Sequence, residues 1–256
     1  MYSLVGLFVG TMVGATGVGG GAIMTPLLIL LMGVSPHTAV GTDLLYASLT
    51  KMVGVGIHGS RNRVDWKVVR LLASGSLPAA IVTLIWLRWA ESSGVSNGVV
   101  IAALGVILMI TSLMMVFRPL LNRIGRHLRI TEPTHFIKYQ PVLTVLAGAI
   151  LGFLVALTSI GAGALGSVML VFLYPLRLTP VKLVATDLAH AIPLALVAGA
   201  GHILLGNVDF VLLGWLLLGS IPGVMIGAHF AGKLPDRVLR IAIAVVLGSI
   251  GLKLLG

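Results

Sequence analysis

The chain has 256 residues, 58% of them hydrophobic and only 9% charged, with a formal net charge of +10 and no cysteine. So little charge cannot cover a water-facing surface, so the composition points to an all-α integral membrane protein with several spans. Disulfides, thiolate metal sites and thiol catalysis are excluded, and the basic residues lie between apolar runs without the interleaved aromatics of a nucleic-acid surface.

The first apolar segment runs over about 2–34. It begins without a charged n-region, so it reads as the first membrane element and not as a removed signal peptide. As one helix it would measure roughly 50 Å against a hydrocarbon core of about 30 Å. Its middle is "TGVGGGA", Thr16 to Ala22, too glycine-rich for a helix interior. Split there, it forms two legs of roughly 20 Å, able to enter a bilayer and return. Three more apolar segments follow, at about 38–58, 67–88 and 97–117. The second carries Asp43 after Thr42, then Lys51, and ends at His58; the third contains Pro78. The basic stretch 118–140 separates this first repeat, 1–117, from a second, 141–256. It reads as a cytoplasmic linker.

The second half repeats the first. Gly10, Thr16, Gly19, Gly21 and Ala22 align with Gly152, Thr158, Gly161, Gly163 and Ala164. After a two-residue insertion, Pro36 aligns with Pro180, Thr42-Asp43 with Thr186-Asp187, His58 with His202, and Val64-Asp65 with Val208-Asp209. "GSLP" at Gly75–Pro78 aligns with "GSIP" at Gly219–Pro222. Most identities are not interchangeable aliphatics, so an internal duplication is the economical reading. The second set of segments is about 141–174, 183–203, 209–232 and 237–255.

Loop charge separates two topologies. If both glycine-broken segments span, the basic residues divide ten against six between the two sides; if both are re-entrant hairpins, fourteen against two. The positive-inside rule prefers hairpins, with both termini outside the cytoplasm. Three crossings per repeat then make the repeats inverted, and the hairpins enter from opposite faces. Non-helical backbone at membrane depth is tolerated inside protein or beside a cavity, and helix N-termini with free N–H groups favour anions.

The "ATGVGGGAIMTPLL" start, the "GTDLL" of the next helix, the "VDW" after it and the duplicated "LTSIGAGALGS…ATDLAH" resemble the TauE/SafE family of sulfite exporters, over essentially the whole chain. The resemblance implies an inner-membrane secondary transporter of sulfite or small organosulfonates, driven by an ion gradient and without a cofactor. Protons are a candidate coupling ion, and membrane lipid is the surrounding partner. A homodimer, a different anion such as thiosulfate or a carboxylate, and a passive anion channel stay open.

The expected substrate site is Thr16, Gly17, Gly19, Gly20 and Gly21 with Thr158, Ser159, Gly161 and Gly163. Close helix packing is the competing explanation for the glycines. Asp43, Asp187, Lys51, His58, His190 and His202 are candidates for coupling or gating. For the aspartates the competing role is a helix-start carboxylate, for Lys51 a snorkelling cation, and for His58 and His202 carbonyl capping. Pro78 and Pro222 are candidate hinges. No metal site is expected. Ser159 and His190 could form a nucleophile and base, but no protease-type motif surrounds Ser159, so no enzymatic activity is expected.

Overall fold

The computed structural model describes residues 2–16, 21–58, 64–92, 97–117, 119–120, 123–124, 133–161, 163–229 and 236–255. Among them are ten longer helices: α1 (Tyr2–Thr16), α2 (Gly21–Met32), α3 (Pro36–His58), α4 (Trp66–Ser92), α5 (Asn97–Val116), α6 (Pro133–Thr158), α7 (Ala164–Leu173), α8 (Pro180–Leu204), α9 (Phe210–His229) and α10 (Asp236–Leu255). Of these, four are long and apolar enough to cross a membrane: 66–90 in α4, 138–158 in α6, 181–204 in α8 and 210–229 in α9. Large apolar side chains such as Val82, Ile85, Trp89, Val211 and Leu218 point outward, while Asp43, Lys51, Asp187 and His190 are buried. That distribution suits a lipid solvent.

The duplication reappears in how helices begin. Ser35 accepts a hydrogen bond from the Thr38 N–H ahead of Pro36, and Thr179 accepts one from Lys182 N–H ahead of Pro180. A hydroxyl cap followed by proline satisfies first-turn donors and presets the helical φ. Asp65 caps α4 through Val68 N–H, and Asp209 caps α9 through Leu212 N–H. Each of these aspartates is also tied to the other half. Asp65 N–H donates to Thr186 Oγ1 and Asp209 N–H to Thr42 Oγ1, both at 3.0 Å.

Glycine decides the closest helix contacts. A Cβ on Gly6, Gly10 or Gly14 of α1 would strike the carbonyls of Leu216, Ser220 or Val224 on α9, so the two helices run parallel. Gly148 and Gly152 of α6 meet the Leu72 and Ser76 carbonyls of α4 in the same way, and this pair too is parallel. Small residues at four-residue spacing permit such approach. By contrast α3 and α8 run antiparallel, because Gly41 lies against His202 and Gly199 against Leu45. Helix–helix contacts come in matched sets. Thus α1 with α9 mirrors α6 with α4, α2 with α3 mirrors α7 with α8, and α2 with α10 mirrors α7 with α5.

The second glycine-rich segment forms a helical hairpin. Thr144 on α6 hydrogen-bonds Tyr174 Oη at 2.8 Å, and Gln140 donates to the Leu173 carbonyl. The chain therefore leaves along α6, turns after Thr158, and returns along α7 to the level of Gln140 and Thr144. The α4–α6 register brings Thr158 to the level of Val82, ten residues short of the end of α4, or roughly 15 Å. Arg177, just past α7, clasps Asp65 with two hydrogen bonds of 2.7 and 2.9 Å. Arg177 therefore lies at the level of the start of α4. The inbound helix α6 has 26 residues and begins at Pro133, ahead of the apolar segment read from about 141. Proline favours a first helical turn, so the helix starts before the hydrophobic run does.

Candidate functional site

The turn between α6 and α7 is built by its own backbone and by one hydroxyl. Thr158 donates to the Leu154 and Ile160 carbonyls and accepts from Ile160 N–H. Its hydroxyl thus shapes the turn. Ser159 follows with φ 58°, where helices commonly end although glycine is the easier occupant. Gly161 and Gly163 take φ 152° and 119°, values that L side chains rarely adopt. Gly166 N–H bonds back to the Gly161 carbonyl, and the N-cap residue of α7 is Gly163, which has no side chain to offer the first-turn N–H groups. Thr158, Ser159 and Ile160 are all buried, so the tip is closed off from the surface here.

The tip abuts charged groups. Ser159 faces the Asp43 carboxylate, which is fully buried and accepts a hydrogen bond from Thr25 of α2. Asp187 lies so close to the first turn of α7 that a Cβ on Gly166 would run into its carboxylate. Lys51 is buried and electrostatically coupled to Asp187 first and Asp43 second. It does not snorkel to a surface. His190 Nε2 is 2.8 Å from Ser76 Oγ on α4 and also feels the Lys51 charge. The structure thereby brings together Ser159, Asp43, Lys51, Asp187 and His190, contributed by α3, α8 and the hairpin. A buried network of this kind is favourable only when its members are partnered.

The remaining candidates stand apart. His202 is buried with Nε2 2.9 Å from the Ala156 carbonyl, so it braces the last turn of α6 as a carbonyl cap. His58 closes α3, and Thr16 and Gly21 bound α1 and α2. Gly17, Gly19 and Gly20 lie outside the described residues. Pro78 and Pro222 sit inside uninterrupted α4 and α9, on their outward faces.

Four polar residues at this centre escape motif reading: Thr25, Tyr46, Ser76 and Ser220. Tyr46 faces Ser220 as His190 faces Ser76, and Tyr46 and His190 occupy equivalent repeat positions. The repeated "GSxP" motif is the available signal for the two serines.

The family described as Sulfite exporter TauE/SafE matches residues 2–254. The chain is 40% identical to "Probable membrane transporter protein YjnA" of Bacillus subtilis (strain 168) over 253 residues, covering 98% of each chain. It is 27% identical over 258 residues, 98% of each chain, to "Probable membrane transporter protein YdhB" of the same organism. Its identity to "Probable membrane transporter protein YunE" is 25% over 226 residues, covering 81% of this chain and 79% of the relative. No solved structure matches.

Proposed function

We propose a specific transport reaction from a plain premise: the chain belongs to the TauE/SafE sulfite exporter family and is a membrane transporter. The cargo is a small sulfur-containing anion, sulfite or a short organosulfonate, moved across the inner membrane. The halves act as inverted repeats that rock about two hairpin tips, exposing the site to each side in turn. Support comes from the antiparallel course of α3 and α8 and from the matched contacts of equivalent helices. The observation that carries the reading is the buried tip at Thr158–Gly161, shaped by glycine and followed by a helix with glycine at its N-cap, seated against Asp43 of the other half. Helix N-termini and glycine backbone suit an oxyanion. Asp43 and Asp187 would repel an anion unless neutralised, so they act in gating or coupling, with the proton as the coupling ion. On the positive-inside rule, residues 61–70, the linker and Arg177 face the cytoplasm and both termini lie outside in this reading.

The test is sulfite flux into proteoliposomes of purified protein, with and without a pH gradient. Saturable flux that responds to the gradient and is competed by sulfonates is expected. Flux that neither saturates nor responds would make the protein a passive anion pore. Selective movement of carboxylates or thiosulfate would reassign the cargo.

A further inference from the structure

Inside the buried polar centre, residues of one half answer residues of the other. Thr42 corresponds to Thr186, Asp43 to Asp187, Tyr46 to His190 and Ser76 to Ser220. Lys51 breaks the pattern, because Ala195 stands at its equivalent position. Both are buried, at 2% and 1% exposure. An ammonium in such a place is costly unless opposite charge meets it, so one unmatched lysine in a duplicated core calls for a reason.

The helix register supplies one. The contacts of Gly41 with His202 and Gly199 with Leu45 fix α3 against α8. They put Asp187 at a level roughly six residues beyond Lys51 along α3, or about 8 Å, while Asp43 lies eight residues before it, about 12 Å. The single cation thus stands between two carboxylates, closer in level to the one on the opposite repeat. Its coupling follows the same order, Asp187 before Asp43. Tyr46 and His190 are the other titratable groups near these charges, with the Ser159 and Thr25 hydroxyls facing Asp43. Asp43 is carried on the same helix as Lys51 and keeps its distance in any rigid movement. Asp187 is carried on α8 and moves whenever the repeats move against each other.

We propose that Lys51 is a shared counter-charge that exchanges partners: Asp187 holds it in the arrangement seen here, and Asp43 holds it once the repeats have rocked apart. The exchange gives the rocking motion two discrete electrostatic resting points, which is what a bistable element requires. Lys51 is then a positioning residue that selects the open face without contacting the anion. This inference rests on the alternating-access reading above.

The absence of native cysteine makes the test direct. Thr42 and Thr186 are fully buried mates at opposite ends of α3 and α8, each receiving an inter-repeat hydrogen bond that must break when its side opens. Single probes, Thr42→Cys or Thr186→Cys, are labelled with a membrane-impermeant maleimide in proteoliposomes, with and without sodium sulfite. Asp187→Asn removes one partner and Asp43→Asn the other. Their effects on the ratio of labelling at the two probes are expected to be opposite in sign, each about fivefold or more. Lys51→Arg should retain the original ratio. Lys51→Ala with Ala195→Lys, which moves the charge to the other repeat, should reverse the sense of both asparagine variants. Equal-sign shifts from Asp43→Asn and Asp187→Asn, or none, in protein that is monodisperse and still transports sulfite, would overturn the exchange. If labelling in the otherwise unaltered chain ignores sulfite and flux is absent, the transport reading itself falls, and the exchange with it.

Discussion

Replacing Gly161 by alanine perturbs the hairpin tip while leaving its two helices and their packing alone. Gly161 has φ 152°, and a Cβ there would sit 3.0 Å from Val155 Cγ2, tighter than ordinary contact. A non-glycine residue held in so sparsely populated a region costs about 1–3 kcal/mol. Strain of that size depopulates the native turn by roughly 5–150-fold relative to a relaxed alternative. If the tip receives the anion, sulfite flux at low concentration should fall by a factor in that range, with the protein still monodisperse in detergent. Gly33 provides the control. It has φ 66° with nothing within 4 Å of the place a Cβ would take, and it lies past the C-terminal end of α2. Gly33→Ala also strains the backbone, but away from the tip, and should leave flux within about twofold by the same reasoning. Proteoliposome uptake of radiolabelled sulfite at matched protein density distinguishes the two. Equal flux from both variants would refute the argument that the tip is where strain matters.

Other outcomes follow from the packing. Gly152→Leu should abolish monodisperse protein, measured by size-exclusion profile, because even a Cβ collides with the Ser76 carbonyl of α4. Ser76→Ala should lower stability by about 1–3 kcal/mol by leaving buried His190 short of a partner, whereas Ser76→Ala with His190→Leu should cost less than the sum of the single changes. Thermal unfolding followed by tryptophan fluorescence gives the comparison. Asp65→Ala should cost about 1–2 kcal/mol, because Asp65 caps α4 as well as pairing with Arg177. Arg177→Ala should cost less than about 1 kcal/mol, since its side chain is 44% exposed and screened. The same unfolding assay, repeated at high salt, should shrink the Arg177 effect and the ion-pair share of the Asp65 effect, leaving the share due to the cap.

Much of this architecture is legible in residue types. Glycine clusters mark where the helices break, because nothing else in an apolar run disfavours helix so strongly. The Thr-Asp pairs and the Val-Asp pairs flag positions that the structure ties across the halves, Thr42 to Asp209 and Thr186 to Asp65. What escapes is long-range pairing, which leaves no periodic trace. Spacing along α3 points Lys51 at Asp43, eight residues away, whereas the α3–α8 register sets Asp187 of α8 nearer in level. Thr158 reads as a substrate donor from its place in the motif, yet its hydroxyl is occupied by the backbone of its own turn. Ser76 and Tyr46 read as ordinary span residues, since neither residue type announces burial beside a charge.

The hairpin is the feature on which the transport account stands, and sidedness tests it most directly. Single cysteines at Lys67, Leu176 and Leu204 can be labelled by an impermeant maleimide from one side of right-side-out and inverted vesicles. Leu176 and Leu204 are strongly exposed, at 67% and 79%. A hairpin at 141–174 predicts that Lys67→Cys and Leu176→Cys react from the same side and Leu204→Cys from the opposite one. Reaction of Leu176→Cys on the side opposite Lys67→Cys, with Leu204→Cys now on the Lys67 side, would mean that the glycine-broken segment passes through the bilayer, and the buried anion-binding tip would have no place to exist.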